Sequence, residues 1–408
     1  MDLVHGTSST ASEVPPMKCV LVGYGSRGDV EPLAAAGREL MRRGHHVQMA
    51  VAPNMVAFVE SAGLPAVAYG RDSREQMDFA AAFVGKISNP VTMWAEIAEH
   101  VNEVKSEKTA TLRSVADGAD LLVAAFNERG LAANVAEYHD IPLGTLHYFP
   151  ARILASGAFG PQITKDTDDA QRRALGLPEV AGDSAPRMVE IQAYDEICLP
   201  GPAAEWLESD AAPLFVGALT LGRPSDADDE VLSWIAAGTP PIYFGFGSTP
   251  LASPVETIAV IGAACARLGE RALICTGPND VAGAPDAEHV KIVAEVNHAA
   301  VFPACRAVVH HGGAGATAAG LRAGVPTLVL WFWLDQPVWA DGVTELKVGS
   351  GRAFMESTLD SVTADLQGIL TPECAARARE VAELMSKPAE SLARAVDFLE
   401  EAALKQPR

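Results

Sequence analysis

Short apolar runs alternate with stretches of helical period along both halves of the chain. In the first half, "KCVLVGY", "HHVQMAV", "ADLLVAAF" and "LGTLHYF" read as strands, with helices such as "EPLAAAGRELMRRG" and "RGLAANVAEYHD" between them. In the second half the strand runs are "PIYFGF", "RALICTG", "VKIVAEV", "RAVVHHG" and "VPTLVLWF". Strands that alternate with helices imply parallel sheets joined by right-handed crossovers. The pattern predicts an α/β protein of two Rossmann-like, doubly wound parallel-sheet domains, facing a cleft at the carboxyl ends of both sets of strands. Residues 150–240 hold many Pro, Gly and Asp and read as a hinge region. The expected layout is a disordered tail (1–16), a first domain (17–208), a linker (209–222), a second domain (223–385) and a closing stretch (386–408). That stretch contains the amphipathic helix "PAESLARAVDFLEEAAL", with Leu392, Val396, Phe398 and Leu399 as its apolar positions.

Composition narrows the partners. A chain of 408 residues suits two domains, and 49% apolar with 20% charged residues is ordinary for a globular protein. The formal net charge of −21 argues against nucleic acid and anionic membrane surfaces. The six cysteines form no C-x-x-C pair, and Cys19, Cys275 and Cys305 sit in apolar runs as small core residues. No stretch approaches the roughly 18 unbroken apolar residues of a membrane span. The start, "MDLVHGTSSTASEVPP", lacks both the basic and the apolar region of a signal peptide, and Met17 is an alternative start. A cytoplasmic protein with at most transient membrane contact is expected.

Two glycine loops carry the chemistry. Gly23, Gly25 and Gly28 spell G-x-G-x-x-G after the first strand, the pattern of a dinucleotide site and of an NAD-dependent oxidoreductase. That use needs a carboxylate about 20 positions on, to hold a ribose. The next strand instead ends in Ala50, Val51 and Ala52, and Asp29 on the lip of the loop would repel a phosphate. The second loop is more informative. In "RAVVHHGGAGATAAGLRAGVPTLVL" a strand runs into Gly312, Gly313 and Gly315 and then into a helix beginning near Ala314. Free backbone N–H groups at a helix start suit a diphosphate. His310 or His311 could donate to a phosphate oxygen; the alternative is a glycine turn whose histidines cap a strand end. Further on, Asp335 and Gln336 follow an apolar strand in "WFWLDQPVWA". They either hold adjacent sugar hydroxyls or cap the helix near Pro337.

"HHGGAGATAAGLRAGVPTLVLWFWLDQP", with "YFGFGS" upstream and "GSRGDVEP" near the start, resembles the GT-B glycosyltransferases of family 1. The similarity is to the actinobacterial enzymes that decorate glycopeptide antibiotics and those that glycosylate mycobacterial glycopeptidolipids. "TELKVGSGRAF" and "SKPAESLARAVDF" incline towards the latter. The resemblance spans the chain from about residue 17 to the last helix. It implies an acceptor-binding first domain, a nucleotide-sugar-binding second domain, and a last helix that packs back across the cleft. It implies a UDP- or dTDP-sugar as co-substrate, with no cofactor and no metal. The acceptor would be a lipophilic or peptidic small molecule, with a sterol or a macrolide as the rival. By the same resemblance His311, Gly313 and Gly315 match the diphosphate loop, with Gly312 beside them. Asp335 and Gln336 match the pair that holds the sugar. Ser248 matches a serine near the phosphates, and Val296 lies where backbone meets the base. One position departs: the family commonly has a hydroxyl residue at 316, where this chain has Ala316 followed by Thr317.

The resemblance gives the first loop a role on the acceptor side. Asp29, at the head of a helix, takes a proton from an acceptor hydroxyl, and Ser26 binds the acceptor or orients the carboxylate. Such a base contributes roughly 10²–10⁴-fold. The alternative for Asp29 is a carboxylate that satisfies the helix dipole. Inversion follows from a direct displacement. "DTD" at 166–168 and "DAD" at 226–228 read as capping loops rather than metal sites. Phe79, Phe83, Trp94, Tyr148, Phe149 and Phe159 either line an apolar acceptor pocket or belong to the core, and His147 reads as a packed residue.

Overall fold

The computed structural model describes residues 14–76, 90–150, 160–178, 188–199, 201, 213–222 and 228–404. Among these, seven strands form the first sheet: β1 (Lys18–Gly23), β2 (His46–Val51), β3 (Ala66–Ala68), β4 (Leu121–Ala125), β5 (Leu143–His147), β6 (Met188–Gln192) and β7 (Leu214–Phe215). Their spatial order is β3-β2-β1-β4-β5-β6-β7. A second sheet holds β8 (Ile242–Gly245), β9 (Ala272–Cys275), β10 (Val290–Val293), β11 (Ala307–His310), β12 (Thr327–Trp331) and β13 (Gly349–Ala353). Its order is β10-β9-β8-β11-β12-β13, and the pairings in both sheets are parallel. The expected pair of doubly wound domains is the architecture found.

The period of two along a strand sends its side chains to opposite faces. Cys19 and Leu21 of β1 join a core with the helix Arg27–Arg42, whereas Val20 and Val22 join one with the helix Arg129–His139. Strand order reverses between β1 and β4 in one sheet, and between β8 and β11 in the other. In open α/β sheets such switch points are where ligands bind, outside the carboxyl ends of the strands. Both glycine loops leave from those strands.

Four strands were not legible in the apolar pattern. β3 and β7 are three and two residues long, and β13, "GSGRA", is partly exposed along its length with no apolar run. β6, "MVEIQ", is fully buried only at its last two positions. Because β7 belongs to the first sheet, the first domain runs into the stretch expected as linker. Val14, expected in the tail, packs partly against the first core.

The closing helix Pro388–Leu404 lies on the first sheet. Val396 and Leu399 are fully buried there, and Leu392 and Phe398 partly so. Arg43 bridges Asp397 and Glu400 at 2.7 Å each, and His45 meets Glu400 at 2.8 Å. Where the chain crosses between domains, the buried Asp195 accepts from the Ser386 N–H at 2.7 Å and faces Arg322 at 3.7 Å. Arg322 also donates to the Ala218 and Ser386 carbonyls, both at 2.9 Å.

Candidate active site

The loop after β1 is built around one carboxylate. Ser26 is the extended residue before the helix Arg27–Arg42, and Asp29 stands three residues on. Asp29 Oδ2 accepts from the Ser26 N–H at 2.6 Å and from the Ser26 hydroxyl at 2.9 Å. The carboxylate thus satisfies an orphan donor of the helix start. Its other oxygen, Oδ1, accepts from the Tyr148 hydroxyl at 3.1 Å. One oxygen thus serves the helix start, and the other meets the side chain that follows β5. Gly25 has φ +134°, and a Cβ there would fall on the Asp29 carboxylate, so glycine is required twice over. Burial pushes the Asp29 pKa up, against the hydrogen bonds from Ser26 and Tyr148 that pull it down.

The second loop gathers at the ends of β8 and β11. His310 is 1% exposed, and its Nδ1 accepts from the Gly312 N–H at 2.9 Å. It braces the turn from inside, and burial holds its pKa well below the usual value. His311 lies partly exposed beside it, and burial lowers its pKa to about 4, against a pull upwards from the Gly245 carbonyl. Its ring fits between two glycines: a Cβ at Gly247 would be 2.7 Å from Cε1, and one at Gly313 2.6 Å from Nε2. Gly247 and Gly312 also have left-handed φ, +59° and +90°. The helix Ala314–Ala323 starts after Gly313 with no acidic residue in its first turn. Its first bonded amide is Thr317 N–H to the Gly313 carbonyl at 3.0 Å. The amides of 314–316 precede it, as the orphan donors of any helix start do. Among the described residues, no atom beyond its chain neighbours and the backbone of its own helix lies within 4 Å of where a Gly315 Cβ would be. Neutral donors, a dipole and open space make an anion cradle.

Thr317 does not fill the gap left at Ala316. It is 1% exposed, and its hydroxyl donates to the Gly313 carbonyl at 3.0 Å. The bonded Thr317 hydroxyl is thus turned away from the open side of the loop.

Asp335 and Gln336 each carry a structural bond. Asp335 Oδ2 accepts from the Trp339 indole N–H at 2.7 Å, and its pKa is raised by burial and by the charge of Asp29. Gln336 is buried, and its Oε1 accepts from the Phe332 N–H at 2.7 Å and the Trp333 N–H at 3.2 Å. Ser248 is exposed at the end of β8. Val296 buries its side chain in the core, leaving its backbone at the loop after β10. Next to it, Glu295 meets Arg27 of the first domain at 3.5 Å, so the two loops face each other across one cleft.

Comparison with known proteins settles the family. An uncharacterized glycosyltransferase of Mycobacterium tuberculosis is 52% identical over 413 residues, covering 95% of this chain and 99% of that one. The chain belongs to the GT-B glycosyltransferases. Residues 19–153 match the glycosyltransferase family 28 N-terminal domain, and 273–396 match the erythromycin biosynthesis protein CIII-like C-terminal domain. The vancomycin aglycone glucosyltransferase of Amycolatopsis orientalis is 30% identical, covering 90% of this chain and 93% of its own. A sterol 3-beta-glucosyltransferase of Arabidopsis thaliana is 28% identical over 94% of this chain and 68% of its own. Among solved structures, the calicheamicin glycosyltransferase CalG4 superposes with a TM-score of 0.71 at 17% identity, covering 95% of this chain and 98% of its own. The glycosyltransferase VinC, solved with DTDP, gives 0.66 at 19% identity, covering 95% and 99%.

Among the described residues of this glycosyltransferase, Asp168, Asp228 and His147 serve the frame. Phe79, Phe83 and Phe159 fall outside the described residues, as do Asp226, Ala227 and the side chains of Trp94 and Asp166. Asp168 pairs with Lys105, and Asp228 accepts from the Asn297 N–H at 2.8 Å. His147 is buried against Phe126, with ring centres 4.9 Å apart. Phe149 wedges partly buried between two cores. Tyr148 is the residue that sequence reasoning under-used; it follows β5, whose carboxyl end faces the same cleft. No described helix of this glycosyltransferase is long and apolar enough to cross a membrane.

Proposed function

We propose that the protein is an inverting hexosyltransferase that moves a hexose or deoxyhexose from a UDP- or dTDP-sugar to a hydroxyl of a lipopeptide, glycopeptidolipid or related natural product. The observation that carries this is one cleft: Asp335 feels the charge of Asp29, Arg27 of the first loop meets Glu295 at 3.5 Å, and His298 feels both Arg27 and His311. In the reaction, the acceptor oxygen gives its proton to Asp29 and attacks the anomeric carbon. The bond from that carbon to the diphosphate breaks, and the leaving oxygen takes the electron pair. His311 and the amides at 314–316 meet the growing phosphate charge, a stabilisation that increases towards the transition state. Asp335 and the free amide nitrogen of Gln336 hold the sugar, and Ser248 and the Val296 backbone hold the nucleotide. A sterol is the second acceptor reading, supported by the likeness to the plant sterol glucosyltransferase.

The test is a ranking of thermal shifts across UDP- and dTDP-sugars. It is followed by product analysis with a glycopeptide aglycone, a lipopeptide and a sterol under the best donor. Glycoside formed with inverted anomeric configuration supports the proposal. Retained configuration, or no stabilisation by any nucleotide sugar, overturns it.

A further inference from the structure

The Asp29 carboxylate is held by three donors, and they are unevenly shared. Ser26 supplies two of them, both to Oδ2, from a backbone N–H and a hydroxyl of its own loop. Oδ1 has one, the Tyr148 hydroxyl, and that hydroxyl has a second acceptor in reach: Asn127 Oδ1 at 3.4 Å. A phenol has a single proton to donate. Asn127 is exposed, and its Nδ2 donates to the Tyr24 carbonyl at 2.6 Å, which turns its oxygen towards Tyr148. Tyr148 is buried at 6% exposure, so its hydroxyl has these two acceptors in place of bulk water. The three residues follow three adjacent strands, β1, β4 and β5, at the switch point of the first sheet.

We propose that Tyr148 is a positioning residue that swings its hydroxyl proton between Asp29 and Asn127, so that Asp29 Oδ1 is the atom that receives the acceptor proton. This rests on the reading of Asp29 as the base. Before reaction, Tyr148 donates to the Oδ1 of the carboxylate and fixes its plane. When the acceptor O–H gives its proton to Oδ1, the new acid O–H donates to the Tyr148 oxygen, and Tyr148 turns its own proton to Asn127. One proton moves from acceptor to Asp29; the Tyr148 O–H bond only rotates. Both charge states of Asp29 then keep a full set of partners, which a static donor would not give. Oδ2, already holding two donors, is unsuited to accept a third.

The two halves of the swing make opposite forecasts. Tyr148→Phe removes a donor to the anion, so the Asp29 midpoint rises. Asn127→Leu removes the alternative acceptor and leaves Tyr148 on Asp29, so the midpoint falls. Carboxyl ¹³C titration of Asp-labelled protein reads this directly, with the Asp29 signal identified by its loss in Asp29→Asn. The shifts expected are about half a unit to one unit, upward and downward respectively. In transfer assays with UDP-glucose or dTDP-glucose and a non-ionising sterol or aglycone alcohol, kcat falls about tenfold in each variant. The acid limb of the pH profile moves with the midpoint, and donor KM is unchanged.

Midpoints that stay put in both variants overturn the proposal, as does a kcat loss equal at every pH, which marks mere packing. If Tyr148→Phe fails to fold, a downward shift in Asn127→Leu supports the swing and an unchanged or raised midpoint overturns it. If the wild type transfers no sugar at all, the transferase reading fails while the titration still decides the hydrogen-bond swing.

Discussion

Gly315→Ala separates the demands of folding from those of ligand at the second loop. Residue 315 is the second residue of the helix Ala314–Ala323, and among the described residues nothing beyond its neighbours and its own helix backbone lies within 4 Å of where its Cβ would be. Its φ is not left-handed, so alanine meets neither a clash nor strain. Glycine in a helix costs about 0.5–1 kcal/mol relative to alanine. The substitution is thus expected to stabilise by about that amount, which in a domain of this size raises Tm by about 1–4 °C. The side chain is added in front of free amides, where a diphosphate would press closest. Losing or stretching one hydrogen bond to a charged group costs about 1.5–3 kcal/mol, or about 10- to 100-fold in affinity. Calorimetric titration with UDP and dTDP, beside differential scanning calorimetry, reads both quantities. The expected outcome is a protein more stable and worse at binding. Gly313→Ala is the control, because its Cβ would sit 2.6 Å from His311 Nε2 and must displace the ring, losing binding without the stability gain. A Gly315→Ala protein that binds UDP and dTDP as before would refute the cradle reasoning.

Asp29→Asn keeps an acceptor for Ser26 but no longer takes a proton; kcat falls about 10²–10⁴-fold with donor binding near normal, as steady-state kinetics at saturating donor would show. Asp335→Asn keeps an oxygen for Trp339, so the fold survives; calorimetry should find free UDP binding unchanged and use of the full donor impaired. Equal weakening of both would make Asp335 a cap alone. His311 is neutral at pH 7 in the free protein, with its pKa near 4. A diphosphate beside it raises that value, so binding at about pH 5 should take up a proton; titrations there in buffers of different ionisation enthalpy should show this, and His311→Asn should abolish it. His298 and His311 both have folded pKa values lowered to about 4, so their contribution is complete above about pH 6.5 and is lost as pH falls towards 4. Each is worth on the order of 3 kcal/mol at the limit, with the raised carboxyls of Asp29 and Asp335 opposing it. Chemical denaturation at pH 7 and pH 5 should show the loss, and a flat profile would contradict it.

What could be read from sequence was local chemistry. The glycine–histidine loop and the Ser26–Asp29 pair are each complete within a few residues, so their elements and spacing were visible. Tyr148 was visible only as a pocket or core aromatic and Asn127 not at all, because only the order β1-β4-β5 brings residues 29, 127 and 148 together. Thr317 shows a finer failure. A hydroxyl moved one place along a helix turns by about 100°, from the open side at 316 to the buried side at 317. The residue type was right and the phase wrong. The strands β7 and β13 were missed for want of apolar runs, since one is only two residues long and the other is largely glycine, serine and arginine.

The polypeptide passes between its two domains twice, and both passages meet at one waist. Gly217, on the outward path, has φ +85°, and a Cβ there would be 2.5 Å from Ser386 on the return path and 2.6 Å from Ser391. Two ropes tied at one knot behave as a pivot rather than a rail: the halves can swing about the waist, but cannot slide past each other without breaking the Asp195–Arg322 contacts that bind it. Opening of the jaws is then a rotation whose travel grows with distance from Gly217. Cutting the final helix away would not merely bare Val396 and Leu399 on the first domain; it would remove one rope and turn a guided swing into a loose tether.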